Sequence, residues 1–293
     1  MFTSGSSLLH VLSSTSFWTI QYSRLRQLES FQKRNNLRKF LLSILFFSTI
    51  NFLSAQDPGA ALDFDGVDDR VEITDGAWND FGSGNFTVEC WVKKQAATVA
   101  WSNLAAVGKW NTGASQGTNE WGLFLTSDGS NQLPTFVVEV GNTTYQVSGS
   151  TSLVLDTWYH IAAVREGTTI SIYVNGVLEN SFTNAGITSI NNISGREIIL
   201  GKIDGFAGHT NMEMDELRIW NIARTQPEIA SSKNQELPSG IVNLLANYHF
   251  NQGIESSNNT GITQLEDGSG NMLNGILYNF ALNGTTSNWV APG

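Results

Sequence analysis

One cysteine, four histidines and five prolines are all that this chain of 293 residues has of those types. A zinc cluster or a cysteine-rich redox site needs more thiols and imidazoles than that, and Cys90, being alone, forms no internal disulfide. Charged residues make up 14% of the chain and hydrophobic ones 41%, which excludes a disordered, charge-swollen polymer. The apolar run Phe40 to Leu53 has 14 residues, fewer than the roughly 20 that a membrane-spanning helix needs. What the chain has in quantity is glycine (28), phenylalanine (16) and tryptophan (9), so its function must rest on carboxylates, amides and aromatic faces.

That apolar run follows Lys33, Arg34, Arg38 and Lys39 and ends at "LSAQ". Basic residues, then an apolar stretch, then a small residue are the parts of a signal peptide, so residues 33–55 are expected to be removed between Ala55 and Gln56. Residues 1–32 are then an upstream extension, of the kind an early-called start codon produces. Residues 1–55 hold six of the 16 Lys and Arg and one of the 26 Asp and Glu, which leaves 10 basic against 25 acidic residues. A surface with net charge −15 repels nucleic acid and anionic membrane and suits neutral glycans or divalent cations. The expectation is a secreted or cell-surface protein, bacterial by its processing site and lack of disulfides, with no stable membrane insertion after cleavage.

Beyond residue 55 the chain is a series of short alternating runs divided by Gly, Asn, Asp and Ser. Strands at this spacing predict an all-β fold, a two-sheet antiparallel β-sandwich of jelly-roll type. In "FTVECWVKK" the alternation puts Phe86, Val88, Cys90 and Val92 on one face, so Cys90 reads as a buried small apolar residue. "VNGV" at 174–177 predicts a two-residue hairpin within 170–182, because a type I′ turn needs positive φ at both central positions. Helical signals are nearly absent. The exception is "TQPEIASSK", where Thr225 suits a cap, Pro227 a first turn and Glu228 the position three beyond the cap, predicting one short surface helix.

Four segments carry a family likeness: "ALDFDGVDDRVEI" at 61–73, "FTVECWVK" at 86–93, "TWYHIAAVREGTTISIYVNGV" at 157–177 and "MDELRIWNIARTQPEI" at 214–229. In order and spacing they resemble the LamG-like jelly-roll domains of the concanavalin A-like lectin/glucanase superfamily. The resemblance covers residues 60–235 and implies two packed antiparallel sheets, often with a structural calcium, in secreted proteins of adhesive or polysaccharide-related function. The domain is drawn over 56–235. Residues 236–293 are expected to supply C-terminal strands that close the same sandwich, the alternative being the start of an incomplete repeat.

Two site hypotheses follow. Asp63, Asp65, Asp68 and Asp69 crowd one turn, and Asp215 with Glu216 lies in "MDELRIW". Calcium takes six to eight oxygens and relieves the repulsion of crowded carboxylates. The resemblance implies Asp65 and Asp215 as ligands, with Asp63, Asp68, Asp69 and Glu216 as further candidates. The competing reading is a solvated Asp-rich turn in which Asp65 caps Gly66. For a glycan, flat aromatic faces beside amides are needed. Trp91 and Tyr173 are placed by alternation on the faces opposite Cys90 and Ile172, and the 95–120 loop adds Trp101, Trp110 and Asn111.

Catalysis is read as the weaker option. Glu213 and Asp215 project together, but position 217 is Leu and 218 is Arg, and Glu216 alternates to the other face, so this strand supplies no retaining pair. The sequence therefore reads as a non-catalytic binding or adhesion module for an extracellular carbohydrate or a cell-surface protein, with structural calcium. The alternatives are a glycoside hydrolase of the same superfamily, hydrolysing O-glycosyl bonds of extracellular polysaccharide, and a ligand-free spacer.

Overall fold

Among the described residues, two eight-stranded antiparallel sheets face each other across a hydrophobic core. The computed structural model describes residues 59–95, 105–111, 117–127, 132–203 and 208–292. The upstream extension 1–32, the signal segment 33–55 and Trp101 lie outside the described residues.

The first sheet runs β10 (Val177–Thr183), β9 (Thr169–Val174), β8 (Trp158–Glu166), β3 (Phe86–Lys94), β12 (Asn211–Trp220), β1 (Ala61–Asp65), β16 (Trp289–Val290). β12 is long enough to serve two neighbours along one edge: its residues 211–214 pair with β1, and 217–220 pair with β13 (Leu244–Tyr248). The second sheet runs β14 (Gln264–Leu265), β15 (Gly275–Tyr278), β2 (Arg70–Ile73), β11 (Ile198–Leu200), β4 (Ala105–Gly108), β5 (Trp121–Ser127), β6 (Gln132–Val140), β7 (Thr143–Ser148). Residues 244–290 thus give two strands to each sheet, and Tyr248, Phe250 and Trp289 are fully buried in the shared core.

The alternation of each strand sets its faces. Phe86, Val88, Cys90 and Val92 of β3 meet Trp121, Leu123 and Leu125 of β5 and Phe136 and Val138 of β6 in one cluster. Asn175 and Gly176 close the β9–β10 hairpin with φ of 51° and 81°, the positive values that a type I′ turn demands. The one helix among the described residues, α1 (Gln226–Ser232), starts where the Glu228 carboxylate accepts the Thr225 N–H at 2.7 Å. It lies on the outer face of the first sheet, with Ile229 packed against Ala162 and Val164 of β8.

Candidate functional site

The outer face of the second sheet carries an aromatic floor. Inward residues of β5 and β6 fill the core, so Phe124 and Val137 point outward, and Ile203 beyond β11 joins them. Trp110, two residues past β4, packs edge-on against Phe124 with ring centroids 5.7 Å apart. Beside it opens a pocket lined by Trp110, Ile193, Ser194, Gly195, Arg196, Glu197 and Ile199. The Arg196 Nε is buried with no hydrogen-bond partner among the described residues, an arrangement that costs free energy unless something binds there. Asn111 follows Trp110 in chain order, and its N–H donates to the Asn119 Oδ1 at 2.6 Å. The Asn119 N–H in turn donates to Glu139 Oε2, also at 2.6 Å, which anchors this side of the loop to β6.

Trp91 and Tyr173 are elsewhere, on the outer face of the first sheet beneath the α1 segment. The Trp91 Nε1–H donates to the Lys233 carbonyl at 2.6 Å, the ring edge meets His160, and the Lys233 ammonium stands over its face at 5.3 Å. Tyr173 packs with Ile229, Ala162 and Val164. The structure therefore does not bring these two rings together with Trp110.

Beneath the same segment lies a buried charged network that the sequence reading missed. Glu89 accepts from Arg224 Nη1 at 2.6 Å and from the Trp220 indole at 2.9 Å, while Arg218 pairs with Glu216 at 2.6 Å. His160, fully buried beside Glu89, is held well below its usual pKa by burial and then by the nearby Arg218, Lys233 and Arg224 charges. Only long-range pairing assembles this network: Arg224 lies 135 positions from Glu89.

The acids separate into distinct groups. In the turn between β1 and β2, one carboxylate oxygen from each of Asp65, Asp68 and Asp69 lies within 4.8 Å of the others. Asp65 Oδ1 accepts the Val67 N–H at 2.7 Å across Gly66, whose φ is 77°. Asp69 accepts the Asp65 N–H through Oδ2 and the Ser287 hydroxyl through Oδ1, both at 2.9 Å. Burial pushes the Asp69 carboxyl up to about 7; these hydrogen bonds oppose the shift, and the Asp65 and Asp68 charges add to it. The donor set is oxygen only and crowded, which fits a hard cation such as calcium.

Asp63 is buried next door. Its Oδ2 accepts the Ser287 N–H at 2.7 Å and it faces Glu213 across the strands, and its carboxyl is raised chiefly by burial. Asp215 is remote from this turn. Asp65 pairs with Asn211, and Asp215 lies four positions further along β12, about 13 Å at 3.3 Å per residue. Its Oδ1 accepts the Glu216 N–H, and burial, then the Glu216 charge, pushes it to about 9.

Glu216 departs from the alternation expected for it. Asp215 is opposite Trp91 and Arg218 opposite Glu89, so two residues of β12 occupy the place opposite Cys90. This β-bulge, with φ of 49° at Glu216, turns its side chain to the same outer face as Arg218. There its Oε1 lies 2.7 Å from His249 Nδ1, and Glu216, Glu236 and His249 form a second acidic group. The hydrogen bond to Glu216 and its charge hold His249 above its ordinary pKa, although burial alone would lower it.

The concanavalin A-like lectin/glucanases superfamily matches residues 65–230, more than half of the chain, and the protein belongs to that family. No curated protein matches the sequence. Among solved structures, the fold is similar to that of a candidate carbohydrate-binding protein from Bacteroides ovatus, with a TM-score of 0.55 and 18% identity over 79% of this chain and 61% of the other. Lower likenesses include the binding domain of Paraclostridial Mosquitocidal Protein 1, with a TM-score of 0.47 and 13% identity over 68% of this chain and 50% of the other. Domain 4 of an extracellular arabinanase from Geobacillus stearothermophilus, solved with arabinotriose, has a TM-score of 0.41 and 17% identity over 55% of this chain and 72% of the other. The chain thus spans about six-tenths of the first of these proteins and half of the second.

Proposed function

We propose that this protein is an exported, non-catalytic glycan-binding module whose site is the pocket beside Trp110. The observation that carries the reading is the pairing of an aromatic face with one buried polar atom, Arg196 Nε, that lacks a partner among the described residues. Trp110 rests on Phe124 at the edge of a pocket where Arg196 Nε stands buried and unpaired among the described residues. A sugar ring offers apolar C–H groups to an indole face and hydroxyls to a guanidinium or carboxylate, and Ser194, Arg196 and Glu197 supply that second kind of contact. The acidic chain favours a neutral glycan. Calcium, held by Asp65, Asp68 and Asp69, would stiffen the β1–β2 turn, leaving the glycan contacts to the second sheet.

The test is a glycan array probed with the full chain and with Trp110→Ala. Losing the stacking face is expected to cost about 1.5 kcal/mol, roughly tenfold in Kd. Equal binding by both proteins would remove the pocket from consideration and leave a protein-binding surface as the better reading.

A further inference from the structure

The residue before Trp110 is buried with its charge intact. Lys109 is fully enclosed, and its Nζ lies 2.8 Å from Asp75 Oδ1, 2.9 Å from Glu120 Oε1, 3.0 Å from Asn79 Oδ1 and 3.4 Å from Asp80 Oδ1. A buried ammonium is costly unless paired and hydrogen-bonded, and here three carboxylates and an amide surround it. Two of those carboxylates reach further. Asp75 Oδ2 accepts the Gly195 N–H at 2.7 Å, and Glu120 Oε1 accepts the Ile193 N–H at 3.0 Å. Ile193 and Gly195 belong to the wall of the pocket beside Trp110.

We infer that Lys109 is the positioning residue of this pocket: its ammonium fixes Asp75 and Glu120, and these two carboxylates hold the 193–195 backbone that forms the wall beside the Trp110 indole. The arrangement is economical in the chain, since the same stretch past β4 carries the hub at 109 and the aromatic face at 110. The wall itself needs the anchor. Gly195, with φ of 75°, has open space where a Cβ would sit, and the Asp75 carboxylate accepts its N–H. Only in what the pocket holds does this inference rest on the glycan reading.

Amide hydrogen exchange on the full chain without any glycan separates the two. In Lys109→Met, exchange at the Ile193 and Gly195 amides is expected to rise at least about tenfold, as when a hydrogen bond to a charged partner is released. Amides of the β3–β8 ladder should keep wild-type protection. In Asp75→Ala the Gly195 amide alone should be released. A 5-fluorotryptophan resonance assigned to Trp110 should move in both variants, a signature that a general loss of stability would not give. Protection unchanged within about twofold at both wall amides of Lys109→Met would overturn the inference. If Lys109→Met does not fold, unchanged protection at Gly195 in Asp75→Ala overturns it alone. Failure to bind any glycan would leave these exchange results standing and would count against the proposed function only.

Discussion

Replacing Trp289 with alanine tests whether the C-terminal segment is part of the sandwich. Trp289 sits in the two-residue strand β16, opposite Leu62, and is fully buried in the main core. Its Nε1–H donates to the Phe250 carbonyl at 2.6 Å. Truncating a buried tryptophan to alanine costs about 3–5 kcal/mol from lost transfer free energy and the cavity left behind. The orphaned Phe250 carbonyl pushes the cost toward the upper end of that range, against a total stability of about 5–15 kcal/mol for a typical domain. With a urea m-value of about 3 kcal/mol/M, the unfolding midpoint should fall by roughly 1.5 M in a single transition with unchanged slope. Trp289→Phe keeps most of the volume but not the donor, and should fall by about a third of that. A shift below about 0.3 M, or a separate early transition that leaves the main one in place, would refute the view that residues 244–290 share one cooperative core.

Other perturbations probe different parts of the structure. Gly253→Ala should destabilise by about 2 kcal/mol in the same urea assay, because an added Cβ would run into the Trp289 indole. Asp69 has its carboxyl raised in the folded state, so the folded protein binds the proton more tightly than the unfolded chain. Its contribution is present below about pH 4 and is lost as pH rises toward 7; Asp69→Asn should flatten the Tm profile across that window in EDTA. Calcium should raise Tm at pH 8 and remove the same slope, and Asp65→Ala should abolish the rise, whereas a calcium response untouched by Asp65→Ala would place any cation elsewhere.

What the sequence made legible was what local pattern encodes. The alternation of β3 placed Cys90 in the core, "VNGV" named the turn that Asn175 and Gly176 make, and Thr225, Pro227 and Glu228 marked the start of α1. What stayed hidden depends on partners far along the chain. Strict alternation sent Glu216 inward, and only pairing with β3 reveals the bulge that turns it outward. Trp91 and Tyr173 were placed correctly on outward faces, but no local signal says that the α1 segment packs over them. Lys109 has no local signal that marks it, since Asp75 and Gly195, which define its role, lie 34 and 86 positions from it. Asp65 and Asp215 were joined by family likeness, and the β1–β12 register holds them about four residues apart along the strands.

A glycan seated against the Trp110 indole should report itself through that ring. The most direct measurement is a titration of 5-fluorotryptophan-labelled full chain with neutral cello-, xylo-, manno- and arabino-oligosaccharides, the Trp110 resonance being assigned through Trp110→Phe. One of these sugars should move the Trp110 resonance saturably while those of buried Trp121 and Trp289 stay in place. Saturable binding that shifts another tryptophan and leaves Trp110 unmoved would contradict it.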